Sequence, residues 1–230
     1  GQDVIGEAAK IVKLCTFIKN ANKQHIKFPD LESSLDSKKM FEAYNAISSW
    51  PNYEETKLTS LSKVADWCGV KSVVYKDEST RFGLGSFKAL GGAYAVATLA
   101  KAYQKEGRDP SELTVATATD GNHGRSVSWG AQLAGCKSKI FIHANVSEER
   151  ERAMSALGAD VVRINGNYEA SLAACKEAAE LNSWPIVSDT SWKGYRDTPM
   201  QIMAGYSVMS KEIMEQMGLS RPSHTFLPIG

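Results

Sequence analysis

Residues 114–133 read TVATATDGNHGRSVSWGAQL, and this stretch decides the fold class. Its first six residues, 114–119, alternate Thr, Val and Ala and predict a short strand. Residues 122–133 predict a helix, which Gly135 is placed to end. Between the two lies a turn with Gly121 and Gly124, where the backbone can approach a ligand closely.

The same alternation of strand and helix extends to both sides of this unit. Further strands are predicted at residues 72–76, 139–143, 160–164, 185–188 and 225–227, and further helices at residues 86–104, 147–157, 168–181 and 198–217. Such alternation predicts an α/β fold, with an open parallel sheet covered by helices on both faces. Ligands of these sheets bind beyond the carboxyl ends of the strands, so the functional loops are residues 77–86, 120–124, 144–147, 165–167 and 189–197.

Composition and charge narrow the class of protein. The chain is 43% hydrophobic and 23% charged, with a formal net charge of +1, so it gives no electrostatic reason to expect nucleic acid or anionic membranes as partners. It contains no run of about 20 apolar residues of the kind that a membrane helix needs. Its four cysteines have neither metal-ligand nor disulfide-framework spacing, so we expect free thiols, no metal and a cytoplasmic protein.

The loop at residues 77–88, DESTRFGLGSFK, ends in a lysine at a predicted helix start. Ser86 is a plausible N-cap, and Lys88 lies two residues after it. The positive end of a helix disfavours a cation, which favours the nucleophilic form of an amine placed there. Taken alone, Lys88 also fits a solvated lysine on a helix face. Gly83 and Gly85 fit a nucleotide-binding turn, but no acidic residue ends a second strand at the spacing that this fold requires.

Two further loops carry polar residues at the same edge of the predicted sheet. Asp120, Asn122 and His123 follow the strand at residues 114–119, and the helix that starts there offers free N–H groups to an anion. Helix capping by Asp120 would explain one residue of this turn and not the others. Asp189 follows the predicted strand at residues 185–188 and adds a second carboxylate, although a capping role explains it equally well.

Together these residues resemble the fold-type II pyridoxal-phosphate (PLP) enzymes, the tryptophan synthase β-like family. Ser86-Phe87-Lys88 before an alanine- and glycine-rich helix resembles the segment that binds the cofactor, and Gly121-Asn122-His123-Gly124 resembles the family's asparagine loop. Within this family, the longer strings at residues 76–84, 91–94, 119–125 and 189–195 resemble the diaminopropionate ammonia-lyases. The resemblance runs from about residue 50 to residue 230, with a departure at Thr56-Lys57-Leu58, where the family commonly has Thr-Pro-Leu.

The resemblance implies a fold of two α/β domains with the cofactor between them, usually in a homodimer. Residues 93–221 would form the small domain. Residues 1–92 and 222–230 would form part of the large domain, whose C-terminal part would be missing. The family's glycine-rich phosphate loop would begin at or after Gly230. We therefore expect these 230 residues alone to retain pyridoxal phosphate weakly, and their activity alone is doubtful.

The resemblance also implies roles for the residues of the first two loops. Lys88 would hold pyridoxal phosphate covalently, and Asn122 would hydrogen-bond the hydroxyl of its ring. Ser86 would orient Lys88 or approach the phosphate, and Gly121 and His123 would complete the cofactor site.

The implied reaction is β-elimination of ammonia from 2,3-diaminopropionate, a small amino acid, to give pyruvate and ammonia. Asp120 stands where threonine and serine dehydratases usually have Ser, and it would pair with the substrate's second ammonium or act as a general base. The family acts on both the D and the L isomer. Our hypothesis is that Asp120 serves the D isomer and that Asp189 or Lys88 serves the L isomer.

Two other interpretations stay open at this point. A serine or threonine dehydratase-like lyase would share the cofactor site, but a hydroxyl leaving group does not need the carboxylate of Asp120. An inactive fragment or pseudoenzyme, lacking the phosphate-binding loop, would keep the small parallel-sheet domain as a binding or folding module.

Overall fold

The structure is a computed structural model that describes residue 35 and residues 37–227. Within this part, labelled in chain order, the helices are α1 (Ser37–Ser48), α2 (Ser62–Cys68), α3 (Lys88–Lys105), α4 (Asn122–Ala134), α5 (Glu148–Ser155), α6 (Tyr168–Asn182) and α7 (Asp197–Met217). The strands are β1 (Leu58–Ser60), β2 (Val74–Lys76), β3 (Thr114–Ala118), β4 (Lys137–His143) and β5 (Asp160–Ile164), and short 3-10 helices span Glu78–Gly83 and Pro110–Glu112.

The parallel sheet predicted from the sequence is confirmed by β3, β4 and β5, which lie side by side in this order. Ala116 pairs with Lys139 across β3 and β4, and Lys139 pairs with Asp160 across β4 and β5. The predicted strand at residues 185–188 is reduced to a single parallel bridge between Ala116 and Ile186. Pro185 explains this shortening in part, because it has no N–H group to donate to a neighbouring strand.

Helices cover both faces of this sheet, as the alternation predicted. On one face, Ala116 and Phe141 pack against Cys175 of α6. On the other face, Val115 and Ile140 belong to a second cluster together with residues of α3, α4 and α5. Successive residues of a strand point to opposite faces, so a continuous run of apolar and small residues supplies both layers.

The prediction for residues 72–76 was right about a strand and wrong about its sheet. β2 pairs antiparallel with β1, and Leu58 lies opposite Lys76 in a two-stranded ribbon separate from the parallel sheet. β1 lies in a stretch without alternation, so its sequence carried no signal. The strand predicted at residues 225–227 is not formed: residues 219–227 contain neither helix nor strand and are exposed.

Helix α3 lies between α4 and α7, and small residues let the three helices approach closely. A Cβ atom on Gly130 of α4 would lie 2.5 Å from Cα of Ala93, and one on Gly205 of α7 would lie 2.4 Å from the carbonyl oxygen of Leu90. Gly91 of α3 itself also allows close approach, because a Cβ there would lie 2.4 Å from the Tyr206 ring. This packing fixes α3, and with it the segment that begins at Lys88.

No helix in the described part of the chain combines the length and the apolar character needed to cross a membrane.

Candidate active site

A cavity of about 250 Å³ lies at the carboxyl end of β3, where ligands of parallel sheets bind. It is lined by Lys88, Ala118, Thr119, Asp120, Gly121, Asn122, His123, Arg150, Tyr168 and Asp189. Six of the seven residues predicted for the site are therefore brought together in one place. The seventh, Ser86, is not part of the lining.

Lys88 is the first residue of α3 and reaches into this cavity. Its backbone N–H donates to Oγ of Ser86 at 3.1 Å, so Ser86 orients the helix start from behind the site. The amine Nζ of Lys88 donates to Oδ2 of Asp189 at 2.7 Å. The side chain is 35% exposed, so the amine is accessible from the cavity, while the ion pair with Asp189 holds it in place.

Asp189 is ionised at neutral pH. Burial acts to raise the pKa of its carboxyl, but the contacts with His123 and Lys88 outweigh burial, and the pKa lies below its ordinary value. Burial lowers the pKa of His123, so this ring is neutral at neutral pH, and the positive charge that favours the ionised carboxylate is that of Lys88.

His123 is buried beside this pair with one ring nitrogen free. Its Nε2 lies 2.8 Å from the carbonyl oxygen of Val187. A carbonyl only accepts, so Nε2 carries the proton. Burial lowers the pKa of His123, which leaves Nδ1 as a bare lone pair. Within the described residues this Nδ1 has no hydrogen-bond partner, and it lies 3.8 Å from Oδ2 of Asp189.

The turn after β3 is built by a residue that the sequence reasoning missed. Oγ1 of Thr119 accepts hydrogen bonds from the backbone N–H groups of Gly121 and Gly124, at 3.1 and 3.2 Å. Helix capping by Asp120 is therefore not what shapes this turn. The signal was present, because Ser and Thr hydroxyls often accept from an N–H two residues further on. Gly124 is required here, since a Cβ would lie 2.4 Å from Cγ2 of Thr119 and 2.5 Å from Sδ of Met154.

Asp120 lies at the open side of the cavity. Its contacts are with residues other than the Lys88–Asp189 ion pair. Its side chain is 63% exposed, and its Oδ1 lies 3.0 Å from Nε2 of His143. Its backbone carbonyl accepts from Nη1 of Arg150 at 3.0 Å. The two predicted carboxylates thus have separate partners, one a lysine and one a histidine.

Arg150 and Tyr168 are two further lining residues that were missed. Each lies at or near the start of a helix that follows one of the loops singled out from the sequence, residues 144–147 and 165–167. Burial, Asp189 and Asp120 raise the pKa of Tyr168, so its phenol stays protonated and can donate a hydrogen bond into the cavity.

These features fit pyridoxal phosphate. A primary amine reaches the cavity from a helix start, and the start of α4 offers backbone N–H groups to an anion. A buried nitrogen of His123 also lacks a partner in the part of the chain that the structure describes. A buried polar atom without a partner calls for an explanation, and a bound group in the cavity supplies one.

The sequence profile described as "Pyridoxal-phosphate dependent enzyme" matches residues 50–230. The chain belongs to this family. It is 38% identical over 192 residues to the diaminopropionate ammonia-lyase of Escherichia coli (strain K12), covering 77% of this chain and 48% of that protein. It is 34% identical over 198 residues to the enzyme of the same name from Salmonella typhimurium (strain LT2), covering 78% of this chain and 49% of that protein.

The fold is similar to that of a solved member of the family. The crystal structure of the Escherichia coli diaminopropionate ammonia-lyase in complex with D-serine superposes with a TM-score of 0.74 at 36% identity, covering 80% of this chain and 50% of that chain. The chain spans about half the length of the curated relatives it matches. The family resemblance stated from the sequence, and its fold type, are thus confirmed.

Proposed function

We propose that the protein catalyses the pyridoxal-phosphate-dependent elimination of ammonia from 2,3-diaminopropionate, which with water gives pyruvate and two molecules of ammonia. The observation that carries the proposal is the cavity at the end of β3, where the amine of Lys88 and the carboxylates of Asp120 and Asp189 line one space. The similarity to diaminopropionate ammonia-lyases supports the choice of substrate.

Lys88 is the residue that would hold the cofactor. Its ammonium has no lone pair and must lose a proton before the nitrogen can form a covalent bond. Oδ2 of Asp189, 2.7 Å from Nζ, holds the amine in place beside the cavity until that proton is lost. When bound, pyridoxal phosphate supplies an electron sink for the charge that develops at the substrate's α-carbon.

Further cofactor contacts from these residues would come from the turn after β3. Asn122 would bond the ring hydroxyl, and Gly121 leaves the backbone open for close approach. The unpartnered Nδ1 of His123 is a hydrogen-bond acceptor aimed at the region of the Lys88–Asp189 pair. Ser86 would act indirectly, because its Oγ accepts a hydrogen bond from the backbone N–H of Lys88 and so orients that residue.

Asp120 is the residue that would distinguish this substrate from serine or threonine. A carboxylate at the open side of the cavity can pair with the extra ammonium of diaminopropionate, which a hydroxyl substrate lacks. It is also a candidate base for the α-proton of the D isomer, while Asp189 or Lys88 serves the L isomer from the other side.

The wider setting of the site belongs to the same proposal. Residues 93–221 would form the small domain, and this is supported by the parallel sheet and helices α4–α6, which lie within it. Residues 1–92 and 222–230 would belong to the large domain. A homodimer follows from the family resemblance. A cytoplasmic location without membrane or nucleic-acid partners is supported by the charge balance and by the free thiols of Cys68, Cys136 and Cys175.

The test is pyruvate release from D- and L-diaminopropionate by the protein that carries this chain, supplied with pyridoxal phosphate. Asp120→Asn should lower kcat/KM for the D isomer by about 10²- to 10⁴-fold, the range for loss of a general base. Asp160→Asn is the control, because Asp160 is an exposed carboxylate paired with Lys139 at the opposite end of the sheet. Full activity of Asp120→Asn on both isomers would sink the assignment, and a preference for serine or threonine would favour a dehydratase.

A further inference from the structure

His143 contacts Asp120 at the open side of the cavity. It is the last residue of β4, the strand beside β3, so the carboxyl ends of the two strands bring it next to the turn that carries Asp120. Its side chain is 17% exposed, and its Nε2 lies 3.0 Å from Oδ1 of Asp120. Its other nitrogen, Nδ1, lies 3.2 Å from the backbone nitrogen of Asn145.

These two contacts define the tautomer of the His143 ring. A backbone N–H only donates, so Nδ1 must carry a lone pair in order to accept from Asn145. In the neutral ring the proton then lies on Nε2, which donates it to Oδ1 of Asp120. The bond to Asn145 therefore turns the ring into a donor that faces the carboxylate.

Asp120 needs such a partner because, within the described residues, little else restrains its side chain. The side chain is 63% exposed, so packing does not select one rotamer. Arg150 holds the residue's carbonyl oxygen and leaves the carboxylate to other contacts. A bond from His143 to Oδ1 restricts the side-chain torsions and leaves Oδ2 unoccupied by this contact.

We propose that His143 is a positioning residue that holds the carboxylate of Asp120 over the cavity through the Nε2–H···Oδ1 bond, with Asn145 fixing the ring. It acts through Asp120 and does not touch the substrate itself. The inference rests on the proposed function, in which Asp120 acts on the D isomer of diaminopropionate. His143 thereby determines how well this isomer is used relative to the L isomer.

The first measurement needs no substrate and no catalysis. The sequence has four histidines, so the ring of His143 can be assigned in ¹⁵N-labelled protein by comparison with His143→Gln. Long-range ¹H–¹⁵N correlation spectra of the neutral ring should show Nε2 protonated and Nδ1 unprotonated, and Asp120→Ala should shift the Nε2–H signal. A ring protonated on Nδ1 alone, or one that does not respond to Asp120→Ala, overturns the proposal even if the substrate is different.

The second measurement is the ratio of kcat/KM for the two isomers. His143→Ala should lower kcat/KM for the D isomer by about tenfold, as expected for the loss of one hydrogen bond to a charged group. The L isomer should change less than about twofold. His143→Gln should restore most of the loss, because its amide nitrogen can donate from nearly the position of Nε2. An equal loss for both isomers, or no rescue by His143→Gln, contradicts the positioning role.

A double variant separates this role from a general loss of structure. In an Asp120→Asn background, adding His143→Ala should cause little further loss for the D isomer, since Asp120→Asn already removes the carboxylate base through which His143 acts. Additive losses would show that His143 acts independently of Asp120. Wild-type protein without activity on diaminopropionate would refute the proposed function, and the spectra would still decide the geometry of the pair.

Discussion

Replacing Glu212 by Gln should destabilise the protein far more than the same change three residues later in α7. The carboxylate of Glu212 is fully buried and accepts two hydrogen bonds from the guanidinium of Arg81, both at 2.8 Å. Lys76 adds an ion pair at 2.7 Å, and the hydroxyl of Tyr53 donates at 2.9 Å. These contacts tie α7 to the segment that leads from β2 to Lys88.

The magnitude follows from the burial of the partners that remain. Burial acts to raise the pKa of Glu212, but Arg81 and Lys76 outweigh burial and lower it, so the group is an anion in a fully buried site. Removing one member of a buried ion pair costs about 3–5 kcal/mol, because the other charge is left uncompensated. Arg81 keeps a second carboxylate, Glu78, at 2.7 Å, so we expect the lower end, about 3 kcal/mol.

Glu215→Gln is the matched control for this prediction. Glu215 pairs with Lys211 on the same helix, but its side chain is 52% exposed. An exposed pair at this spacing contributes about 0.3–0.5 kcal/mol. The two Glu→Gln variants should therefore differ by about a hundredfold in the ratio of folded to unfolded protein.

Urea unfolding, followed by both tryptophan fluorescence and circular dichroism, measures this difference. Coincident transitions from the two probes are needed before a free energy of unfolding is assigned. Losses of similar size for Glu212→Gln and Glu215→Gln would refute the reasoning, because they would mean that the buried cluster is no more sensitive than a surface pair.

Two further predictions concern buried titratable groups. Because burial lowers the pKa of His123, the unfolded chain takes up a proton first as pH falls below about 6.5. Stability should therefore decline below that pH, by up to about 1.4 kcal/mol per pH unit for this group, and urea midpoints between pH 7.5 and 5.5 should vary less in His123→Gln. An equal pH dependence in both proteins would contradict this. Burial also raises the pKa of Cys175 to about 12, whereas Cys68 is exposed. Iodoacetamide should modify Cys68 in the folded protein and Cys175 only after unfolding, as read by peptide mass spectrometry; early modification of Cys175 would contradict its burial.

The sequence predicted the central part of the fold because local signals and tertiary packing agree there. The strand at residues 160–164 and the helix that begins at Tyr168 occur where they were expected. The predicted helix end at Gly135 is confirmed, with this glycine in the left-handed conformation at φ 69°. In the parallel sheet, the apolar strands and the caps of the following helices all favour the same structure.

The parts that were missed depend on contacts between distant residues. β1 is short and carries no strong pattern of its own, and its antiparallel pairing with the predicted strand β2 joins residues on either side of a helix. Arg81 and Glu212 are 131 positions apart, and the local sequence around each of them does not indicate a buried ion pair. Charged residues are usually exposed, so a sequence reading places them on the surface by default.

In the candidate site, too, the residues with local sequence signals were predicted and those that depend on distant contacts were missed. Lys88, Asp120 and Asp189 were singled out because each follows a predicted strand or begins a predicted helix, and the topology brings such positions to one edge. Thr119 and His143 were missed because their roles come from specific hydrogen bonds. For His143 that bond depends on the register of β4 beside β3, which the sequence does not reveal.

The most direct test of the account is to locate the lysine that binds the cofactor. The protein that carries this chain is incubated with pyridoxal phosphate, reduced with borohydride to make the attachment permanent, digested and mapped by mass spectrometry. We expect the label on Lys88, its loss in Lys88→Ala and its retention in Lys105→Ala, which changes an exposed lysine at the other end of α3. A stoichiometric label on another lysine, or full labelling of Lys88→Ala, would contradict it.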